Sequence, residues 1–337
     1  MSLTILAIES SCDDTGVAIV RDGKDLLANV VSSQIQIHQK FGGVVPEVAS
    51  REHLTYINRL IDKALEEAAL AYQDINLVAV TYGPGLVGAL LVGVSTAKAL
   101  AYAIKKPLLG IHHIEGHIYA NFLAHPDIRL PALCLVVSGG HTNIIKINRH
   151  GEYLSLGQTR DDAAGEAFDK VARALGLPYP GGPEIDRLFK VGNPEAIAFP
   201  IAKLDNPYDF SFSGLKSAVL NYLNQEKMKN RPIEVPDVAA SFQMAVVKAL
   251  CEKTFLALGN EQMTTLLLAG GVAANSQLRE SLAKGCAERG IQFYCPPLAY
   301  CTDNAAMIGA AAYYKAQAGQ VSDLTLNAHA QLPFSTL

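Results

Sequence analysis

"LTILAIESSCDDTGVAIV" (residues 3–20) decides the fold of this chain. An apolar run ends at Glu9, a short polar turn closes on Thr15, and a second apolar run follows. That is strand, turn, strand. "PALCLVVSGGHTNIIKI" (131–147) repeats the plan about 130 residues later, with a turn that closes on Thr142. An echo at that spacing predicts two lobes of similar plan, built by duplication.

The remaining chain alternates strands and helices, which places it in the α/β class. "INLVAVTYG" (75–83) reads as a strand, followed by the loop "GPGLVG" and a helix to about residue 104. "PEVASREHLTYINRLIDKALEEA" (46–68) reads as a helix with Leu54, Ile57, Leu60, Ile61 and Leu65 on one face. A helix is predicted over 161–177, and "TTLLLAGGVAANSQLRESL" (264–282) reads as strand, Gly-Gly turn and helix. The lobes are expected at 1–130 and 131–300, with a C-terminal helix at about 303–320 packing back on the first.

Of the 337 residues, 50% are hydrophobic and 18% charged, ample for two cores and contrary to disorder. The most apolar stretch, 86–104, is interrupted by Lys98 and glycines, so no membrane span is expected. The N-terminus lacks a basic region and reaches Glu9 too early for a signal peptide, which predicts a cytoplasmic chain. Six cysteines without CxxC spacing fit free thiols in a reducing compartment. A net charge of −4 carries no electrostatic footprint for nucleic acid, so an RNA substrate would need help from partners.

"HHIEGH" (112–117) holds the first candidate chemistry. His113 and His117 are four apart, about 40° around a helix, a spacing competent for metal binding. The competing reading is a surface or capping pair. A zinc-protease helix is excluded by angle: Glu115 stands roughly 200° from His113, whereas HExxH enzymes place the base about 100° away. Three glycine turns, "VSGGHT" (137–142), "YPGGP" (179–183) and "AGGVAAN" (269–275), let backbone amides approach a phosphate or ribose, although each alone is compatible with a simple turn. None matches GxxxxGK[ST] or GxGxxG. Taken singly, Asp13 and Asp14 read as turn residues, Asp303 and Ser213 as helix N-caps, and Asp169 and Asp186 as solvated surface.

Paired strand–turn–strand units and an AGG turn before a helix resemble the actin/Hsp70/sugar-kinase (ASKHA) superfamily. Particular strings narrow this: "IESSCDDTG" (8–16), "GGVVPEVASREH" (42–53), "GPGLVGALLVG" (83–93), "HHIEGH", "LVVSGGHT" (135–142), "DDAAGEAFDK" (161–170), "PGGP" (180–183), "FSFSGLK" (210–216), "AGGVAAN" and "CTDNAAMI" (301–308). Together they resemble the TsaD family, tRNA N6-adenosine threonylcarbamoyltransferases. The family frequently has Thr and Glu where this chain has Ser10 and Asp14, changes that preserve the chemistry.

The resemblance implies two duplicated RNase H-like lobes with the active site in the cleft. It implies a divalent metal on His113, His117 and Asp303, with Fe(II) favoured and Zn(II) possible. It implies a threonylcarbamoyl-AMP site at Val136, Val137, Ser138, Gly139, Gly140, Asp169, Gly182, Asp186 and Asn275, the 138–140 turn at the phosphate and Asp169 and Asp186 at the ribose. Glu9, Asp13 and Asp14 become candidates for the proton acceptor. The implied reaction carries threonylcarbamoyl from its adenylate to N6 of adenosine 37 in tRNAs reading ANN codons. The implied partners are a TsaB-type paralogue and a TsaE-type ATPase. The competing readings are an ATP-dependent small-molecule kinase or ATPase of the same superfamily and a non-catalytic interaction subunit.

Overall fold

A computed structural model of the chain describes residues 2–334 and divides into two compact units. The first comprises the residues up to Ile128, Arg149–Glu152 and those from Pro296 on; the second comprises Arg129–Asn148 and Tyr153–Cys295. Unit 1 begins with β1 (Thr4–Glu9), β2 (Asp14–Arg21) and β3 (Asp25–Ser33), then α1 (Ile35–Gln39) and α2 (Pro46–Glu67). β4 (Leu77–Gly83), α3 (Val87–Ile104), β5 (Leu108–His112) and α4 (His113–Ala124) follow. Its five-stranded sheet runs β3-β2-β1-β4-β5. β1, β2 and β3 are antiparallel, and β4 and β5 join β1 in parallel.

Unit 2 holds β6 (Ala132–Val137), β7 (Thr142–Arg149), β8 (Glu152–Gln158), α5 (Ala164–Ala174), α6 (Gly181–Phe189), α7 (Ser213–Met228) and α8 (Val235–Asn260). β9 (Thr265–Ala269), α9 (Ser276–Ala287) and β10 (Gln292–Tyr294) complete it. Its sheet runs β10-β9-β6-β7-β8. Read from the other edge this is the order of the first sheet, with an antiparallel β6–β7 pair in place of β1–β2 and parallel β9 in place of β4. The sequence echo is therefore a repeated half-antiparallel, half-parallel sheet. The last helix, α10 (Ala305–Gln317), belongs to unit 1.

The strands read as near-continuous apolar runs because each face of the sheet is covered. Leu6, Ile8, Val17 and Ile19 join Ile57, Ile61, Val94 and Ala97 of α2 and α3 in one core. On the other face Gly309 of α10 approaches Val20 and Ala7 so closely that a β-carbon would not fit. Burying each large aliphatic side chain contributes roughly 1.5–3 kcal/mol, so helices on both faces hold this sheet far more firmly than strand propensity does.

α2 departs from its expected face at one position. Leu54 is exposed, and the adjacent His53 is fully buried instead. One His53 ring nitrogen lies 2.7 Å from the Thr15 hydroxyl and the other 2.9 Å from the Cys12 carbonyl. This turn of the helix crosses the polar 10–15 turn, where a bonding side chain serves better than an aliphatic one. α3 is long and apolar enough to cross a membrane by length and composition. Its Leu90, Val94 and Ala97 are buried in unit 1, where Lys98 donates to the Leu326 carbonyl at 2.9 Å.

In unit 2 the predicted helix over 161–177 begins only at Ala164. Asp161 lies in the loop before it and serves a different helix. Its carboxylate accepts from the Phe212 and Ser213 amides and from the Ser211 and Ser213 hydroxyls. Ser213 is thus not the N-cap of α7 but its first residue, and the orphan amides are satisfied by a carboxylate distant in sequence.

Candidate active site

β5 runs directly into α4, and the junction builds the site. His112, the last strand residue, caps the helix: its Nδ1 accepts from the Ile114 amide at 3.1 Å. Every residue of α4 from His113 to Leu123 is buried, so "HHIEGH" is neither helix surface nor an ordinary amphipathic stripe. Gly116 explains how a second element reaches the histidines. A β-carbon there would lie 2.6 Å from Ile308 Cδ1 and 3.2 Å from Met307 Cγ, so α10 packs against α4 through the gap. Asp303, just before α10, is carried to the same place.

Among the described residues, His113, His117 and Asp303 form a group able to hold a metal ion, their ligand atoms within 4.8 Å of one another. Oδ1 of Asp303 lies 3.6 Å from His113 Nε2 and 3.3 Å from His117 Nε2. Asp303 is not the N-cap of α10. That role belongs to Asn304, which accepts from the Met307 amide at 3.1 Å and leaves the Asp303 carboxylate to the histidines.

The donor set fits a metal on two observations. Neither ring nitrogen of His117 makes a hydrogen bond, although both are buried. A buried imidazole is ordinarily satisfied, and a cation at Nε2 is the partner this geometry provides for. Nδ1 of His113 lies 3.1 Å from the Ser11 hydroxyl and 3.3 Å from Glu9 Oε2. An ionised carboxylate only accepts, so Nδ1 is the donor and Nε2 faces Asp303. Carboxylate–histidine pairs of this kind orient ligands behind the metal.

Glu9 closes an otherwise apolar strand and is fully buried. The Thr81 hydroxyl donates to it at 2.5 Å and the Ser11 amide at 2.6 Å. Burial opposes its ionisation, but His113 outweighs burial and holds the carboxyl below its usual range. Burial equally opposes a charge on His113, yet Asp303 and Glu9 draw its pKa up to about 9. The pocket of carboxylates thus favours positive charge at the ring.

Asp13 and Asp14 occupy the same β1–β2 turn. Burial raises both, with like charge from Asp303 adding to it and a hydrogen bond to Cys12 or Ser33 opposing it; Asp14 reaches about 7. Oδ1 of Asp14 is buried without a hydrogen bond. Glu115 faces elsewhere, as its angle on the helix implied. It pairs with Lys315 at 3.1 Å.

In unit 2 two of the glycine turns follow β6 and β9, and the third joins α5 to α6. The Ser138 amide and the His141 carbonyl close the first turn at 2.8 Å, and the N-terminus of α5 rests on it. A β-carbon at Gly165 would lie 2.6 Å from the Ser138 carbonyl. Around Gly139, Gly140 and Gly182, by contrast, a β-carbon would meet nothing within 4 Å. Those glycines border open space, as a ligand cradle requires.

Asp169 accepts from the Gly181 amide at 2.7 Å and so fixes the PGGP turn. Asp186 accepts from the Ser276 hydroxyl at 2.8 Å, and Asn275 caps α9 by accepting from the Leu278 amide at 2.9 Å. Neither aspartate is solvated surface. Sequence reasoning missed Gln243, a buried amide between Asp186 and Asn275, and missed Glu9 as the partner of His113. A polar residue inside an apolar strand or helix was the available signal for both.

A family model described as TsaD, tRNA N6-adenosine threonylcarbamoyltransferase, matches residues 25–310. The chain belongs to the TsaD family. A relative from Clostridium botulinum (strain 657 / Type Ba4) is 57% identical over 328 residues, covering 97% of this chain and 96% of its own. One from Moorella thermoacetica is 58% identical over 332 residues, covering 98% and 97%. Both carry the name tRNA N6-adenosine threonylcarbamoyltransferase. Nothing in this family match supports the kinase reading.

Solved structures show the fold. HypF from T. kodakarensis aligns with a TM-score of 0.65 at 12% identity, over 94% of this chain and 48% of its own. Component A of (R)-2-hydroxyglutaryl-CoA dehydratase from Acidaminococcus fermentans aligns at 0.55 and 15% identity, over 94% and 99%. The α/β fold with a repeated strand–turn–strand unit expected from the sequence is the one found.

Proposed function

We propose that this chain transfers the threonylcarbamoyl group of threonylcarbamoyl-AMP to N6 of adenosine 37 in tRNAs reading ANN codons. The observation that carries the reading is the convergence of His113, His117 and Asp303, in a chain more than half identical to named threonylcarbamoyltransferases. Two imidazoles and one carboxylate suit Fe(II) best and Zn(II) next. A divalent ion bound there supplies Lewis-acid polarisation of the carbamoyl oxygen.

The chain's own residues do the rest. Glu9 and Ser11 orient His113, and the buried wall of α4 fixes His117. In unit 2 the 138–140 turn lies at the phosphate and offers it the amides of Gly139 and Gly140, since the Ser138 amide is spent on the His141 carbonyl. Asp169 and Asp186 serve the ribose side, Gly182 leaves room for the base and Asn275 fixes the nucleotide's orientation. Asp14 is the proton acceptor we assign to N6. An orphaned buried oxygen and a pKa near neutrality support it over Glu9, which is committed to His113. Asp13 adds like charge that sustains the raised Asp14 pKa.

The chain would work in the cytoplasm with a TsaB-type paralogue and a TsaE-type ATPase, and its net negative charge supports such help with tRNA. The test is to incubate the purified chain and partners with threonylcarbamoyl-AMP and unmodified tRNA, then digest to nucleosides. Threonylcarbamoyladenosine at position 37 is expected; its absence refutes the reading.

A further inference from the structure

Gln243 stands in the middle of α8 with no exposed surface. A buried primary amide is costly unless both ends are bonded, and here both are. Its Nε2 donates to Asp186 Oδ1 at 2.8 Å, and its Oε1 accepts from Asn275 Nδ2 at 2.9 Å. The chain of bonds continues, since Asn275 Oδ1 accepts from the Leu278 amide at 2.9 Å. One end is a backbone N–H, which can only donate; the other is a carboxylate, which only accepts. Both amides between them are therefore locked in a single orientation, because flipping either would set donor against donor or acceptor against acceptor.

We infer that Gln243 is a positioning residue for the nucleotide site, fixing which atoms of Asp186 and Asn275 a bound ribose and base meet. This rests on the reading of unit 2 as the nucleotide-binding half of the enzyme. Oδ1 of Asp186 is fully engaged, by Gln243 and by the amide and hydroxyl of Ser276. Oδ2 has no hydrogen bond among the described residues and is the oxygen presented to a ribose hydroxyl. Gln243 and Ser276 approach Oδ1 from α8 and α9, and together they fix the carboxylate plane. On Asn275 the carbonyl is spent on the helix cap and one Nδ2–H on Gln243, so the second Nδ2–H is the donor left for the nucleotide.

Gln243→Leu removes both bonds at similar volume. With AMP as probe, calorimetry on the full chain should show affinity about 10- to 100-fold weaker, the loss of hydrogen bonds to a charged partner. In turnover the KM for threonylcarbamoyl-AMP should rise by a similar factor while kcat and metal affinity stay within about twofold, a split that general loosening of the fold does not produce.

Gln243→Glu, nearly isosteric, serves where the leucine variant is insoluble. It sets two acceptors face to face, so AMP affinity should fall at pH 8 and recover toward pH 5, as a shared proton restores the donor. A profile parallel to wild type for the glutamate variant, or wild-type AMP affinity in a folded leucine variant, overturns the inference while the nucleotide site stands. Failure of the wild-type chain to bind AMP overturns both.

Discussion

Oε2 of Glu9 lies 3.3 Å from Nδ1 of His113, on the opposite edge of the ring from Asp303. The strand that opens the fold therefore ends directly behind a residue of the metal group. A Glu9→Gln change keeps the shape but removes the charge that raises the ring's basicity. Metal affinity should fall about 10- to 100-fold. The melting temperature should drop modestly, because the amide nitrogen faces a donor that the carboxylate had satisfied. Titration of the stripped protein with Fe(II) or Zn(II) reads this. Unchanged affinity would remove Glu9 from the site.

Gly116 is where α4 and α10 meet. In Gly116→Ala the nearest atom to yield is the flexible tip of Ile308, so a cost of about 1 kcal/mol is expected. Gly116→Leu has no such escape and should cost about 1–3 kcal/mol, with metal affinity falling as Asp303 is pushed away. Denaturant unfolding alongside metal titration checks both. Equal effects from alanine and leucine would contradict the close-approach account.

The α7 N-terminus depends on Asp161. Replacing it by alanine strands the Phe212 and Ser213 amides, at an expected cost of about 1–2 kcal/mol to unit 2. Hydrogen-exchange protection at 212–216 should drop selectively, since the Asp161 carboxylate accepts from residues 211–213. Protection unchanged there would show the capping role to be wrong.

Asp14 makes a pH prediction. Its folded pKa of about 7 lies above the ordinary carboxyl value, so the folded state binds the proton more tightly than the unfolded chain does. Its contribution is then fully present below the unfolded pKa and is lost as pH rises toward and through 7. In chelator-treated protein Asp14→Asn should melt above wild type at pH 8, the gap closing as pH falls toward 5. A gap that is constant with pH would mean that Asp14 is already ionised throughout.

Much of this was legible in the sequence for physical reasons. Strands covered on both faces must be apolar throughout, so the two sheets announced themselves as repeated runs. The His113–His117 pair is encoded in helical periodicity. Asp303 was not encoded: near a helix start it looks like a cap, and only the adjacent Asn304 taking that role frees it. Leu54 misled because a face count does not know which turn the helix crosses. Gln243 and Glu9 acquire meaning only from partners that the fold brings to them.

The central claim is that His113, His117 and Asp303 hold a metal needed for threonylcarbamoyl transfer. The most direct test is single-turnover transfer to unmodified tRNA with saturating threonylcarbamoyl-AMP and partners, comparing the metal-loaded chain, the chelated chain and the folded variants His117→Ala and Asp303→Ala. Threonylcarbamoyladenosine is predicted from the loaded chain alone, restored to the chelated chain by added metal and not restored to either variant. Transfer at the wild-type rate by a variant that binds no metal would contradict it.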